Sequence, residues 1–253
     1  MIEAQGLVKK FRDKTRGEVR AVDGVSFRCR PGEIFGLLGA NGAGKTTTLR
    51  ILATILTPSA GTAIVAGYDV TRQSQKVRSS VGFLSTATAL YGRLSAREMV
   101  EYFGRLHGLD ETILRQRIDA IFERLEMNDF RDRRCDALST GMKQKVSIAR
   151  TLVHDPSVMI FDEPTVGLDV MAARTIIEFI RECRDRGKTV IFSTHVMSEV
   201  EKLCDVIGII HGGKLLAEGP LPELRRKCAE DDLEEIFVKV VGPHLANAEA
   251  HAS

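Results

Sequence analysis

The segment Gly39-Ala40-Asn41-Gly42-Ala43-Gly44-Lys45-Thr46 has the spacing GxxxxGK[ST], and Thr47 follows it. Glycines at those steps let the backbone turn so that successive N–H groups face one point, and a helix starting there adds the positive end of its dipole. Two side chains complete the chemistry. The Lys45 ammonium supplies a point charge for the β- and γ-phosphates of a nucleoside triphosphate, and the Thr46 hydroxyl supplies a ligand for Mg²⁺. A second constellation stands far downstream, where Val158-Met159-Ile160-Phe161-Asp162-Glu163 is an apolar run ending in two carboxylates. In a parallel sheet the active site lies beyond the carboxyl ends of the strands, where a phosphate loop also sits. There Asp162 can enter the Mg²⁺ shell while Glu163 polarises a water aimed at the γ-phosphate. Two adjacent acids alone would mark no more than a strand end; beside a phosphate loop they read as a working pair.

Both constellations need strands to hold them. Residues 33–38 form a short apolar run ending at glycine, and 44–56 then reads as a helix. Residues 81–84, 158–161 and 189–192 are further short apolar runs, and lack of alternation suits strands buried on both faces of a parallel sheet. Helical stretches between them supply the crossovers, so the expected fold class is a doubly wound α/β core. The middle differs. Ser95-Ala96-Arg97-Glu98 is a capping box, and Met99, Phe103 and Leu106 then share one helical face. Asp110 is expected to cap a second helix, in which Ile113, Leu114, Ile118, Ile121, Phe122 and Leu125 keep helical spacing. Residues 139–153 read as a third, making 86–154 a helical insertion. Near the end, 206–210 and 214–217 flank His211-Gly212-Gly213, a hairpin signal. Beyond Gly242 the Ala-rich stretch has little to bury and is expected to be disordered.

The 253 residues fit one domain able to bury a sizeable core. Lys plus Arg total 36 against 34 for Asp plus Glu, a balance that gives no reason to expect a nucleic-acid partner. Local basic clusters such as Lys9, Lys10 and Arg12, or Arg131, Arg133 and Arg134, are interrupted by other residues and read as solvated faces. The odd number of cysteines, 5, with no CxxC pair, fits a reducing compartment. Residues 1–6 lack the pattern of a signal peptide, and no run of apolar residues is long enough to span a bilayer. Any membrane role is therefore expected to act through a partner.

With these residues assembled, the chain resembles the nucleotide-binding subunits of ABC transporters over nearly the whole of 2–241. Leu138-Ser139-Thr140-Gly141-Met142-Lys143-Gln144 is similar to the family's signature loop: Ser139 and Gly141 match, while Thr140 and Met142 stand where Gly and Gln are commoner. Physically it is a helix start with Ser139 as N-cap, which offers a dipole end and N–H donors to a phosphate. The resemblance implies that Ser139, Thr140, Gly141 and Met142 face ATP held by a second subunit, so that two chains sandwich two nucleotides. Gly167-Leu168-Asp169 resembles the loop that couples the two sites, through Asp169. His195, ending the strand 189–194, resembles the switch histidine that contacts the γ-phosphate. Phe11 stands at the place of an aromatic that stacks on adenine, a core phenylalanine being the other reading. One position departs: Thr86 stands where the family has a glutamine that touches Mg²⁺ and the attacking water, and it keeps an oxygen on a shorter side chain.

The implied cofactors are ATP and Mg²⁺. Phe11, Gly39, Asn41, Gly42, Ala43, Gly44, Lys45, Thr46 and Thr47 would bind ATP, Thr46 and Asp162 would hold the metal, and Glu163, His195 and Lys45 would do the chemistry. The implied architecture is a P-loop NTPase core with a mostly parallel sheet (1–85 and 155–220), an N-terminal antiparallel portion, a helical subdomain at 86–154, a C-terminal extension at 221–241 and a tail at 242–253. The implied partners are a transmembrane permease and a second ATPase subunit, identical or related, which would put the chain on the cytoplasmic face of the cell membrane. Residues 90–98, the signature variant and 233–237 are most similar to the sodium-efflux ATPase branch of ABC-2-type exporters. Two rival functions stand beside transport: a nucleotide-gated binding module with little hydrolysis, and a soluble ABC ATPase acting on DNA or ribosomes.

Overall fold

The computed structural model describes residues 1–13, 17–85 and 89–250. The chain opens with the strands β1 (Ile2–Asp13), β2 (Gly17–Cys29) and β3 (Ile34–Leu38), followed by helix α1 (Lys45–Leu52). Next come β4 (Ala60–Val65), β5 (Tyr68–Asp69), α2 (Ser74–Ser80) and β6 (Val81–Ser85). The helices α3 (Ala96–Leu106), α4 (Glu111–Arg124) and α5 (Thr140–Leu152) form the expected insertion. The core resumes with β7 (Val158–Asp162), α6 (Val170–Asp185), β8 (Thr189–Thr194), α7 (Met197–Leu203), β9 (Val206–His211) and β10 (Lys214–Gly219). Helices α8 (Leu221–Cys228) and α9 (Leu233–Ala250) close it.

Two sheets result. The larger runs β10-β9-β3-β8-β7-β6, parallel except for the antiparallel hairpin partner β10; the smaller, β2-β1-β4-β5, is antiparallel. Every residue of β3, β7 and β8 is buried, which is why their sequences read as unbroken apolar runs. One apolar cluster fills the space between the two sheets around α1. A second packs α5 and α6 on the other face of the large sheet, a third lies within the insertion, and a fourth lies under α8 and α9.

The insertion's helix starts follow their caps. Ser95 Oγ accepts from Glu98 N while the Glu98 carboxylate accepts from Ser95 N, closing the capping box, and Asp110 accepts from Thr112 N. Three expectations change. Helix α1 ends at Leu52 rather than at residue 56, because Thr54 turns to φ +60 and Pro58 follows. Leu106 is 64% exposed; α3 buries Ala96, Met99, Val100 and Gly104 instead, since the helix's last turn passes beyond the insertion's core. Residues 242–250, expected to be disordered, continue α9 as helix: alanine has the highest helix propensity, and Val241 is buried just before them. No helix among the described residues is long and apolar enough to cross a membrane.

A histidine pair sits where α3, α5 and β6 meet. The rings of His107 and His154 stack with centroids 3.6 Å apart and planes 2° from parallel, and His154 Nε2 donates to Val81 O at 3.0 Å. Burial, with the adjoining His107, pushes the His154 pKa down to about 4. The unfolded chain then takes up a proton near pH 6.5 that the folded chain refuses until about 4, so stability falls as pH drops through that window. The loss attributable to His154 by pH 5 is roughly 2 kcal/mol. Urea midpoints at pH 7 and pH 5 measure it, and His154→Gln, which can still donate to Val81, is expected to flatten the difference.

Candidate active site

Helix α1 starts at Lys45 with Gly44 as its N-cap at φ +109, and Gly42 sits at φ +80. A Cβ on Gly44 would lie 2.5 Å from Ala21 O, so both the dihedral and the close approach of β2 demand glycine. The Lys45 side chain is only 4% exposed. Its Nζ donates to Gly39 O at 2.7 Å and Ala40 O at 3.1 Å, and it stands 3.0 Å from Glu163 Oε1. A buried ammonium is tolerated only when compensated in this way.

The acids arrive from β7. Asp162 is buried, and its Oδ1 accepts from Thr46 Oγ1 and from Ser193 Oγ, each at 2.9 Å. Ser193 Oγ in turn accepts from Glu163 N at 3.0 Å, so one hydroxyl of β8 links both acids. Glu163 has φ +45, a left-handed conformation that costs a non-glycine residue about 1 kcal/mol. That turn ends the strand, and the same residue stands against Lys45. His195, the residue after β8, places Nδ1 3.6 Å from Glu163 Oε1. Ala21, Asn41 to Thr47 and Glu163 line an open cavity of about 350 Å³.

The donor set can be tested against Mg²⁺. Asp162 and the hydroxyls of Thr46 and Ser193 are hard oxygens meeting at one point, as this ion requires. Among the described residues no group of three or more His, Cys, Asp or Glu could hold a metal by itself. Mg²⁺ takes one or two carboxylates and draws its other ligands from phosphate and water. Thr46 and Asp162 fit it.

The structure thus brings Gly39, Asn41 to Thr47, Asp162, Glu163 and His195 together. It does not bring the signature loop to them. Ser139 caps α5 by accepting from Met142 N at 3.3 Å, and Thr140 lines a different cavity, with Lys143, Gln144, Val166, Gly167 and Leu168. Asp169 caps α6, accepting from Met171 N and Ala172 N. Phe11 is 40% exposed on β1, with Lys9 Nζ 5.3 Å from its ring centroid, which sets aside its reading as a core residue. Thr86 lies outside the described residues. Ser193 and Ala21 belong to the site without having been expected there. A serine inside an apolar strand carries no motif, although its place two residues before His195 on a fully buried strand is a signal of a satisfied polar group.

The model of the ABC transporter family matches residues 22–166. The ABC transporter ATP-binding protein NatA of Bacillus subtilis is 42% identical over 94% of this chain and 97% of its own length. The Nod factor export ATP-binding protein I of Paraburkholderia xenovorans is 42% identical over 88% of this chain and 74% of its own length. A solved structure of an ATP-binding subunit of an ABC transporter superposes with a TM-score of 0.84 at 27% identity, covering 95% of this chain and 99% of that one.

Gly44→Ala tests the cradle. The added methyl meets a backbone oxygen at a forbidden dihedral, so a stability loss of about 2 kcal/mol or more and a collapse of nucleotide affinity are expected. Thermal unfolding and titration with a fluorescent ATP analogue check the two effects.

Proposed function

The chain belongs to the ABC transporter family, and from that membership we propose that it is the ATP-hydrolysing subunit of an exporter, driving a separate transmembrane subunit. The observation that carries the reading is the 3.0 Å approach of Lys45 Nζ to Glu163 Oε1, which sets the phosphate-binding cation and the acid at the two walls of one cavity. A triphosphate seated on the N–H groups of 41–47 would draw Lys45 to its β- and γ-oxygens and free Glu163 to polarise a water for in-line attack. His195, 3.6 Å from Glu163, reaches the same γ-phosphate region and would orient it. Thr46 and Asp162 would hold Mg²⁺, which when bound would neutralise charge developing on the phosphates. Phe11, exposed and next to Lys9, remains available to stack on adenine.

The second half of each site would come from another subunit. Ser139, Thr140, Gly141 and Met142 open α5 away from their own chain's cradle, and their N–H groups and helix dipole suit the phosphates of a nucleotide held by a partner. Asp169 would carry information between the two sites from its place at the start of α6. Through its permease the chain would sit peripherally on the cytoplasmic face of the membrane. Similarity to the Nod factor export protein supports export, and similarity to NatA together with the branch-level resemblance at 90–98 and 233–237 supports sodium as cargo.

Glu163→Gln is expected to keep ATP binding by calorimetry while lowering phosphate release by about 10²- to 10⁴-fold. Unchanged turnover would remove Glu163 from the mechanism. For the cargo, reconstitution with the cognate permease should give ATP-dependent sodium efflux; brisk hydrolysis with no sodium flux discards sodium and leaves the exporter reading in place.

A further inference from the structure

Glu199 lies in the first turn of α7, 9% exposed, and holds two segments that both matter to the site. Thr165 Oγ1 donates to Glu199 Oε1 at 2.6 Å, and Thr194 Oγ1 donates to Glu199 Oε2 at 2.7 Å. Thr194 Oγ1 also accepts from Val196 N at 3.0 Å. Thr165 is two residues beyond Glu163, in a turn closed by bonds from Val166 N to Glu163 O and from Leu168 N to Thr165 O. Thr194 and Val196 flank His195. One carboxylate therefore ties the segment leaving Glu163 to the segment carrying His195, from a helix anchored in the core by the buried Val200 and Leu203.

We propose that Glu199 is a positioning residue for hydrolysis, which sets the 3.6 Å approach of His195 Nδ1 to Glu163 Oε1. The proposal rests on the reading of Glu163 and His195 as acting groups. Neither segment has regular structure of its own at these positions: Glu163 leaves β7 with a left-handed dihedral and His195 follows the last residue of β8. Short hydroxyl-to-carboxylate bonds are the strong kind, and two of them to one rigid anchor fix both segments in a common frame. Glu199 is not among the residues lining the cavity at 41–47; it acts through what it holds.

The test is steady-state phosphate release by the full chain with Mg²⁺ and ATP. Glu199→Ala is expected to lower kcat ~10-fold or more with KM for ATP changed by less than about twofold, because misplacement is felt in the reacting geometry and not in binding. Glu199→Gln should recover activity to within about threefold of the parent, since its amide oxygen can accept from Thr194 and its NH₂ can donate to Thr165. In a His195→Ala background the Glu199→Ala change should cost less than about twofold, as the group it positions is gone. Costs that multiply in the double variant overturn the proposal, as do Glu199→Ala and Thr165→Val both turning over like the parent. Should Glu199→Ala fail to fold, Thr165→Val cuts one link at a half-buried position and must show the same kcat-specific loss. If Glu163→Gln itself leaves turnover untouched, the positioning role falls with the site reading; if Glu163→Gln is inactive while the Glu199 and Thr165 variants are normal, the positioning role alone fails.

Discussion

The site depends on the register of the parallel strands. Leu38 lies opposite Thr194, Asp162 opposite Ser193, and Ser85 opposite Asp162, so the chain leaves β3, β8, β7 and β6 along one line. The residues just past that line are Gly39, His195 and Glu163. A slip of one residue in β7 would move its end by about 3.3 Å and turn every side chain to the opposite face. What forbids the slip is burial on both faces. Each of these strands lies between two apolar clusters, and an offset would drive Asp162 into one of them. The geometry of the chemistry is thus fixed by residues that do none of it.

Within that line, charge is held by mutual compensation. Lys45 is cut off from water, and two carbonyl dipoles with the Glu163 carboxylate replace its hydration. Asp162 is likewise buried and satisfied by two hydroxyls. A triphosphate could substitute for the partners of Lys45, since phosphate oxygens offer it more negative charge than two carbonyls do. In the proposed mechanism, exchange of Lys45 from Glu163 to phosphate would couple binding to activation of the acid. The anchors behind the acids, Ser193 and the Glu199 clamp, have no such exchange available and stay with the protein.

Motif and composition made the working face legible. The spacing of 39–46 and the apolar run ending in Asp162-Glu163 were enough to place the cradle, the acids and the strands that carry them. The antiparallel sheet and the helical insertion followed from the family resemblance and from caps such as Ser95 and Asp110. The supporting groups were not legible. Ser193, Thr194 and Glu199 are polar residues whose meaning lies in contacts across 31, 5 and 34 positions of sequence, and no local period encodes them. Element ends were missed where a single dihedral decides, as at Thr54, and at 242–250, where intrinsic helix propensity outweighs the lack of a core to join.

The start of α5 gives the proposed dimer its physical reason. Its N-cap serine satisfies Met142 N, yet the first N–H groups of a helix number four, and Thr140 and Gly141 precede that bond. A Cβ on Gly141 would meet nothing within 4 Å, so an anion can approach that backbone closely. An anion at a helix start gains up to about 2 kcal/mol when partly buried. At the start of α6, Val170 is 83% exposed, an apolar side chain whose full burial would contribute about 2 kcal/mol. Neither amount alone offsets the entropy of joining two chains, which costs on the order of 4–15 kcal/mol. In the proposed dimer, two triphosphates shared across two such helix starts would supply charge on both sides at once. Association in the proposed dimer would therefore be conditional on nucleotide, and loss of the γ-phosphate on hydrolysis would remove the anion proposed to sit at each helix start.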